Sequence, residues 1–258
     1  MIDILYITAH DLQRGGVEKC IESWVSHYPT PEELRITWYC PGEILNASYA
    51  LELQQIGVSL VMGNIPGSKK YKNRKYSSDI SALLQSKKYD LVHVNTGSPL
   101  PSYYALRIAK KMNVPVRIAH AHSYVKTNRL ILKLYFLLLR ILNRCYSTYR
   151  LACSEIAGHF LFGNSFHVLK NAIDVGSFGF SVEQRQRIRR QLNIDNQNVI
   201  GYIGTFTTPK NPLFALQVFA TYCESDPEAV MLMLGQGPLE EAVKKKIIEY
   251  GEIGRAHV

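Results

Sequence analysis

Glycine, histidine and lysine at a few spacings are where this chain could do chemistry. Gly15-Gly16-Val17-Glu18 follows a short apolar run and opens a helical one. Adjacent glycines let a backbone approach a ligand closely, and the free N–H groups of a helix start favour an anion. The same residues also make a tight strand-to-helix turn without any ligand, and spacing leaves both readings open. The pattern is not the G-x-G-x-x-G of dinucleotide sites, and no acidic residue ends the second strand to hold a ribose. A second stretch, Gly201-Tyr-Ile-Gly-Thr-Phe-Thr-Thr-Pro-Lys-Asn211, again joins strand to helix through small residues. Lys210 falls where that helix begins, either reaching a phosphate held over the loop or solvated like most surface lysines. A third, Leu234-Gly235-Gln236-Gly237-Pro238-Leu239-Glu240, repeats the arrangement, with proline near the first turn. Ligands of open α/β sheets bind at the carboxyl ends of strands, and all three loops lie at such ends.

His120-Ala121-His122-Ser123 closes another strand. A histidine there can move protons near neutral pH or hydrogen-bond a hydroxyl. No cysteine or acidic cluster accompanies the pair to complete a ligand set, so no metal is expected. His93 falls inside a strand and reads as structural. The helical stretch Leu130–Arg144 is strongly apolar, carries Lys133, Arg140 and Arg144, and follows Lys126 and Arg129. Such a segment either lies in an anionic membrane interface or faces the core with a basic outer stripe. The formal charge of +9 and pI near 9.2 suit an anionic partner. The basic residues do not interleave with aromatics in a nucleic-acid motif, so nucleic acid is not expected. The five cysteines are scattered, which reads as reduced thiols in a cytoplasmic protein, peripheral on the membrane if the basic helix docks there. The N-terminus has no basic region before its apolar run, and no apolar stretch reaches the roughly 18 residues that span a bilayer.

The elements that must position these groups alternate. Strand patterns cover Ile2–Thr8, Leu34–Tyr39, Val58–Met62, Leu91–Asn95, Val116–His120 and Leu151–Cys153. Helical patterns cover Gly16–Tyr28, Ser77–Gln85, Ser102–Met112, Leu130–Cys145 and Ser154–Phe162. Strand–helix alternation predicts an α/β fold with parallel sheets and right-handed crossovers. A turn-rich stretch then precedes a restart, with strands at Val199–Gly204 and Ala229–Leu234. The predicted domains are residues 1–175 and 176–258. Two clear strands are too few for an independent sheet, so the second domain is expected to be incomplete.

Taken in order, these stretches resemble family 4 of the retaining glycosyltransferases, of GT-B fold, and most of all the bacterial members that build capsule and exopolysaccharide. The likeness runs to about Gly251. It implies two Rossmann-like domains facing a cleft, the second one cut short here. It further implies metal-independent transfer of a sugar from a nucleoside diphosphate sugar to a glycan or lipid-linked acceptor at the cytoplasmic membrane face. On this resemblance Gly15, Gly16 and Glu18 belong to the donor loop. His120 or His122 meets the donor sugar or the acceptor. Ser154-Glu155 matches the family's Ser-Glu step, and Asn171 and Asp174 mark the interdomain crossover. Thr205, Lys210 and Asn211 stand in the diphosphate clamp, with Lys210 stabilising the leaving diphosphate, and Gly235 and Gly237 form the Gly-x-Gly-Pro loop.

Two departures stand out. The clamp's arginine is Thr205, which cannot make a bidentate, permanently charged contact. The family's glutamate pair after the Gly-x-Gly-Pro loop is absent. The closing hexapeptide, Ile253–Val258, breaks the preceding helical pattern and matches what a common sequencing adapter encodes, so a non-native tail and an inactive chain are expected. A sugar-nucleotide epimerase of the same fold, or a nucleotide-binding protein without catalysis, are the alternative readings.

Overall fold

The computed structural model describes residues 1–67, 70, 74–194, 196–250 and 256–257. The chain forms two compact units, Met1–Ile173 and Asp174–Val258.

The first unit is built on a parallel sheet. Its strands are β1 (Ile2–Ile7), β2 (Leu34–Cys40), β3 (Val58–Met62), β4 (Leu91–Thr96), β5 (Val116–Ala121), β6 (Tyr149–Ala152) and β7 (His167–Val168). Their order is β3-β2-β1-β4-β5-β6-β7, and each pairing is parallel. Helices α1 (Gly16–Ser26), α2 (Ala47–Gln55), α3 (Arg74–Ser86), α4 (Pro99–Lys111), α5 (Leu130–Tyr146) and α6 (Glu155–Phe162) make the crossovers. A parallel sheet covered on both faces has strands that are apolar throughout, and β1 buries Asp3, Ile4, Leu5, Tyr6 and Ile7 in succession. Alternate residues of one strand therefore feed two cores. Leu5 and Ile7 join Val92, Val94 and Ala119 with Ile80, Leu106 and Phe162. Ile4 and Tyr6 join Ile36 and Trp38 with Ile21, Val25 and Leu53. The strand order reverses direction between β1 and β4, which is where ligands enter open α/β sheets.

Helix α2 is absent from the sequence reading. It is short and buries only Tyr49, Ala50 and Leu53, too few apolar positions for a clear 3.6-residue period. Its start was nevertheless marked, since the Asn46 side chain accepts from Tyr49 N–H at 2.9 Å, the usual work of an N-cap asparagine. At the other end of the sheet, β5 runs one residue past its predicted end, to Ala121, so His120 lies within the strand.

The second unit holds β8 (Val199–Ile203), β9 (Val230–Leu234) and β10 (Ala256–His257) in the order β10-β9-β8, all parallel, with α7 (Val182–Gln191), α8 (Pro212–Cys223) and α9 (Glu240–Glu249). Its core joins Phe206, Leu216, Phe219, Met231, Met233 and Val243. The sequence reading had only two strands here. The third pairs Ala256 with Met231 and His257 with Leu232, so part of the odd hexapeptide extends the sheet. Gly251–Arg255 and Val258, the rest of the expected tail among them, lie outside the described residues.

Candidate functional site

At the switch point of the first unit, flat rings stack upon one another. Residues two apart on a strand share a face, which puts His93 and Asn95 of β4 beside His120 of β5 and His122 just after it. Asn95 and His120 are paired in register. Trp24 of α1 covers them, its ring 5.4 Å from that of His93 and 5.3 Å from that of His120, nearly parallel to both. His93 and His120 stack at 5.4 Å and share a hydrogen bond, Nε2 to Nδ1, of 3.3 Å. His120 and His122 follow at 4.2 Å. Burial drives these imidazoles toward the neutral form, since charging a desolvated ring is costly. It pulls His93 down to about 3 and His120 to about 2, each aided by neighbouring histidines. Burial and the nearby His10 bring His122 to about 4.

The two candidate histidines are thereby separated. His120 is fully buried and its Nε2 finds no hydrogen-bond partner among the described residues, so as placed it cannot touch a ligand. His122 is only half-buried and stands at the mouth of the loop, its Nε2 3.0 Å from Asn95 Oδ1. Trp24, Asn95 and His10 were missed in the sequence. The alternation of His93 with Asn95 and of His120 with His122 was the available signal, and tryptophan's place on α1 was not readable without the packing.

The loop after β1 closes over the same end. Gly15 is the N-cap of α1 and has no side chain to cap it. Instead Glu18 folds back, and a Cβ on Gly15 would stand 2.6 Å from Glu18 Oε2. Glu18 is buried, and its Oε1 lies 3.2 Å from His10 Nδ1. Burial raises its pKa, against the opposing pull of His10. Glu18 thus forms the floor of the loop rather than an open contact. Gly16 differs: a Cβ there would meet nothing within 4 Å, leaving open space in front of the helix start.

In the second unit the loops after β8 and β9 are packed together. Gly204 N–H donates to Leu234 O and Phe206 N–H to Gln236 O, both at 3.0 Å. A Cβ on Gly235 would fall 2.0 Å from Gly204 O, and one on Gly237 2.7 Å from Phe206 O. Gly237 also has φ 153°, a region that favours glycine. Close backbone approach is therefore a sufficient reason for both glycines. Thr205 is exposed, with its hydroxyl 3.4 Å from that of Thr207. Asn211 adopts the left-handed conformation, φ 47° and ψ 55°, that asparagine tolerates, and so turns the chain into α8. Lys210 is exposed beside it, anchored through its carbonyl, which accepts from the Tyr202 hydroxyl at 3.2 Å. Among the described residues no acceptor takes its ammonium.

The crossover residues do local work. Asn171 Oδ1 accepts from the Cys20 thiol at 3.4 Å, and Asp174 caps the turn at Val175–Phe178 through Gly176 N–H at 3.0 Å. On α5 only Leu139 and Asn143 are buried. Leu130, Leu134, Leu138 and Ile141 lie on the opposite side, each at least half exposed. Lys133 and Arg144 are exposed at the edge of that stripe. Arg140 is not: it packs against Gly163 and its Nε donates to Phe160 O at 3.4 Å. No helix among the described residues is long and apolar enough to cross a membrane, and none of their side chains form a metal-ligating cluster.

Comparison with known proteins shows what parts of the chain are similar to. Residues 184–258 match the family "Glycosyl transferases group 1". That segment contains Thr205, Lys210, Asn211 and both glycines of the loop after β9. Over 183 residues the chain is 28% identical to the protein named "Putative glycosyltransferase EpsF" of Bacillus subtilis (strain 168), covering 65% of this chain and 47% of that protein. The chain thus spans about half the length of this curated relative. Among solved structures, Anabaena Alr3699/HepE in complex with UDP-glucose superposes with a TM-score of 0.75 at 14% identity, over 99% of this chain and 68% of that one. A UDP-N-acetylglucosamine 2-epimerase superposes with a TM-score of 0.59 at 11% identity, over 100% and 67%. The chain is α/β, and GT-B glycosyltransferases are among the structural neighbours that cover it.

Proposed function

We propose that the protein is a retaining glycosyltransferase that takes a nucleoside diphosphate sugar as donor and acts on a glycan or lipid-linked acceptor in surface polysaccharide synthesis, without a metal. The observation that carries this reading lies in the second unit. There the family match coincides with an exposed lysine at a helix-opening loop whose ammonium has no described acceptor. A cation so placed stabilises negative charge gathering on a departing diphosphate, and such electrostatic contacts are the largest ones in group transfer. Within the first unit taken by itself, the half-buried His122 and the open space before Gly16 are the places a ligand can reach. UDP is the nucleotide to test first, because the superposed Anabaena protein holds UDP-glucose.

The apolar stripe of α5 supports attachment to an anionic membrane surface, where a lipid-linked acceptor would be found. Exposed apolar side chains edged by Lys133 and Arg144 are what a helix lying in the headgroup region presents.

Calorimetric titration of UDP-glucose into the protein tests the donor reading. Saturable binding is expected, weakened about tenfold or more by Lys210→Ala, since hydrogen bonds to charged groups contribute roughly 1.5–3 kcal/mol. Equal affinity in the variant would remove Lys210 from the site, and no binding at ~1 mM donor would remove the function.

A further inference from the structure

Asn95 is fully buried at the end of β4, and its amide bridges two partners. One amide atom lies 3.2 Å from the His93 carbonyl, and the other 3.0 Å from His122 Nε2. A carbonyl oxygen only accepts, so the atom facing His93 O must be the NH₂ group. The atom facing His122 is then the amide oxygen, which also only accepts. His122 Nε2 must therefore carry the hydrogen. With the ring neutral, a single hydrogen is shared between two nitrogens, and Nδ1 is left with a lone pair. No described residue donates to Nδ1. The ring lies 4.2 Å from that of His120, tilted by 32°.

We propose that Asn95 is a positioning residue that locks His122 in the Nε2–H tautomer, so that the ring offers its ligand a lone pair and no proton. The consequence is a chemical selection. A group meeting Nδ1 has to be an O–H or N–H donor, such as a sugar hydroxyl, and a phosphate oxygen is repelled. The binding consequence rests on the proposed donor function; the tautomer does not.

The tautomer is read directly from long-range ¹H–¹⁵N spectra of the imidazoles at neutral pH, with the His122 signals identified by their loss in His122→Gln. The wild-type protein should show a protonated Nε2 and a bare Nδ1. Asn95→Leu, which keeps the size and removes the acceptor, should shift the ring toward Nδ1–H. A wild-type ring already bearing its hydrogen on Nδ1, or an unchanged tautomer in Asn95→Leu, overturns the proposal. If Asn95→Leu does not fold, Asn95→Asp decides. Its carboxylate accepts the same hydrogen and favours the imidazolium, so His122 should stay Nε2–H and gain its second proton at a higher pH. The titratable groups facing His122 are His10, His93 and His120, with Glu18 behind His10. Unchanged titration of His122 in Asn95→Asp would count against the contact. In binding, Asn95→Leu should weaken UDP-glucose about tenfold while leaving UDP unchanged. Equal loss for both overturns the pairing of Nδ1 with a hydroxyl. A wild-type protein that binds neither overturns the proposed function, and the spectra still decide for Asn95.

Discussion

Three histidines, the buried His93 and His120 and the half-buried His122, make stability depend on pH. Their folded pKa values of about 3, 2 and 4 lie below the ordinary 6.5. Between those limits the unfolded chain binds protons that the folded chain refuses. Their contribution is therefore fully present above the ordinary value and is lost as the pH falls below it. Each group adds a slope of up to about 1.4 kcal/mol per pH unit. Urea midpoints taken from about pH 7.5 down to about pH 5 should fall steeply, and less steeply in His93→Gln; a parallel decline in both would show that His93 titrates normally. Two glycines separate packing from ligand approach at the same scale. Gly235→Ala drives a Cβ into Gly204 O and should cost unit 2 about 1–3 kcal/mol of stability. Gly16→Ala meets open space and should leave stability within about 1 kcal/mol while weakening UDP binding. Unaltered UDP affinity in Gly16→Ala would reduce the loop to a tight turn.

Helix α5 is the element whose surroundings decide its meaning. A soluble helix turns its apolar stripe inward, yet here Leu139 and Asn143 face the protein while Leu134, Leu138 and Ile141 face out. Asn143 keeps its inward place by donating to Pro99 O at 2.9 Å and Leu139 O at 2.8 Å. Co-sedimentation with vesicles rich in anionic lipid is expected, and it should drop several-fold in Lys133→Glu/Arg144→Glu, since each basic residue near such a surface contributes roughly 1 kcal/mol. Arg140→Glu is the wrong test of charge, because that side chain is engaged on α6 and its loss disturbs packing. Sedimentation that survives the double reversal would assign the stripe to some other partner.

Over the whole molecule, each unit closes its own core. The first joins two apolar layers through one sheet, and the second has a separate cluster around Phe206 and Phe219. A segment with a complete core folds by itself. Residues 1–173 alone should therefore give a cooperative thermal transition and retain the histidine spectra of the full chain. A non-cooperative transition, or loss of those spectra, would show that the first unit depends on the second.

Much of this protein was legible in its residues taken in order. The alternation of strands and helices, the parallel sheets and the glycine-bearing strand ends follow from periodicity and turn chemistry, which are local. Even the missed helix α2 had its Asn46 cap in plain sight. Tertiary structure decided the rest, because it depends on which side chains meet across strands. His120 and His122 look equivalent in the chain; burial under Trp24 silences one, and Asn95 orients the other. Gly16 and Gly235 look alike, but one faces open space and the other a carbonyl oxygen. The basic, apolar helix left core and surface both open, since an amphipathic pattern tells that a stripe exists and only packing tells which way it turns.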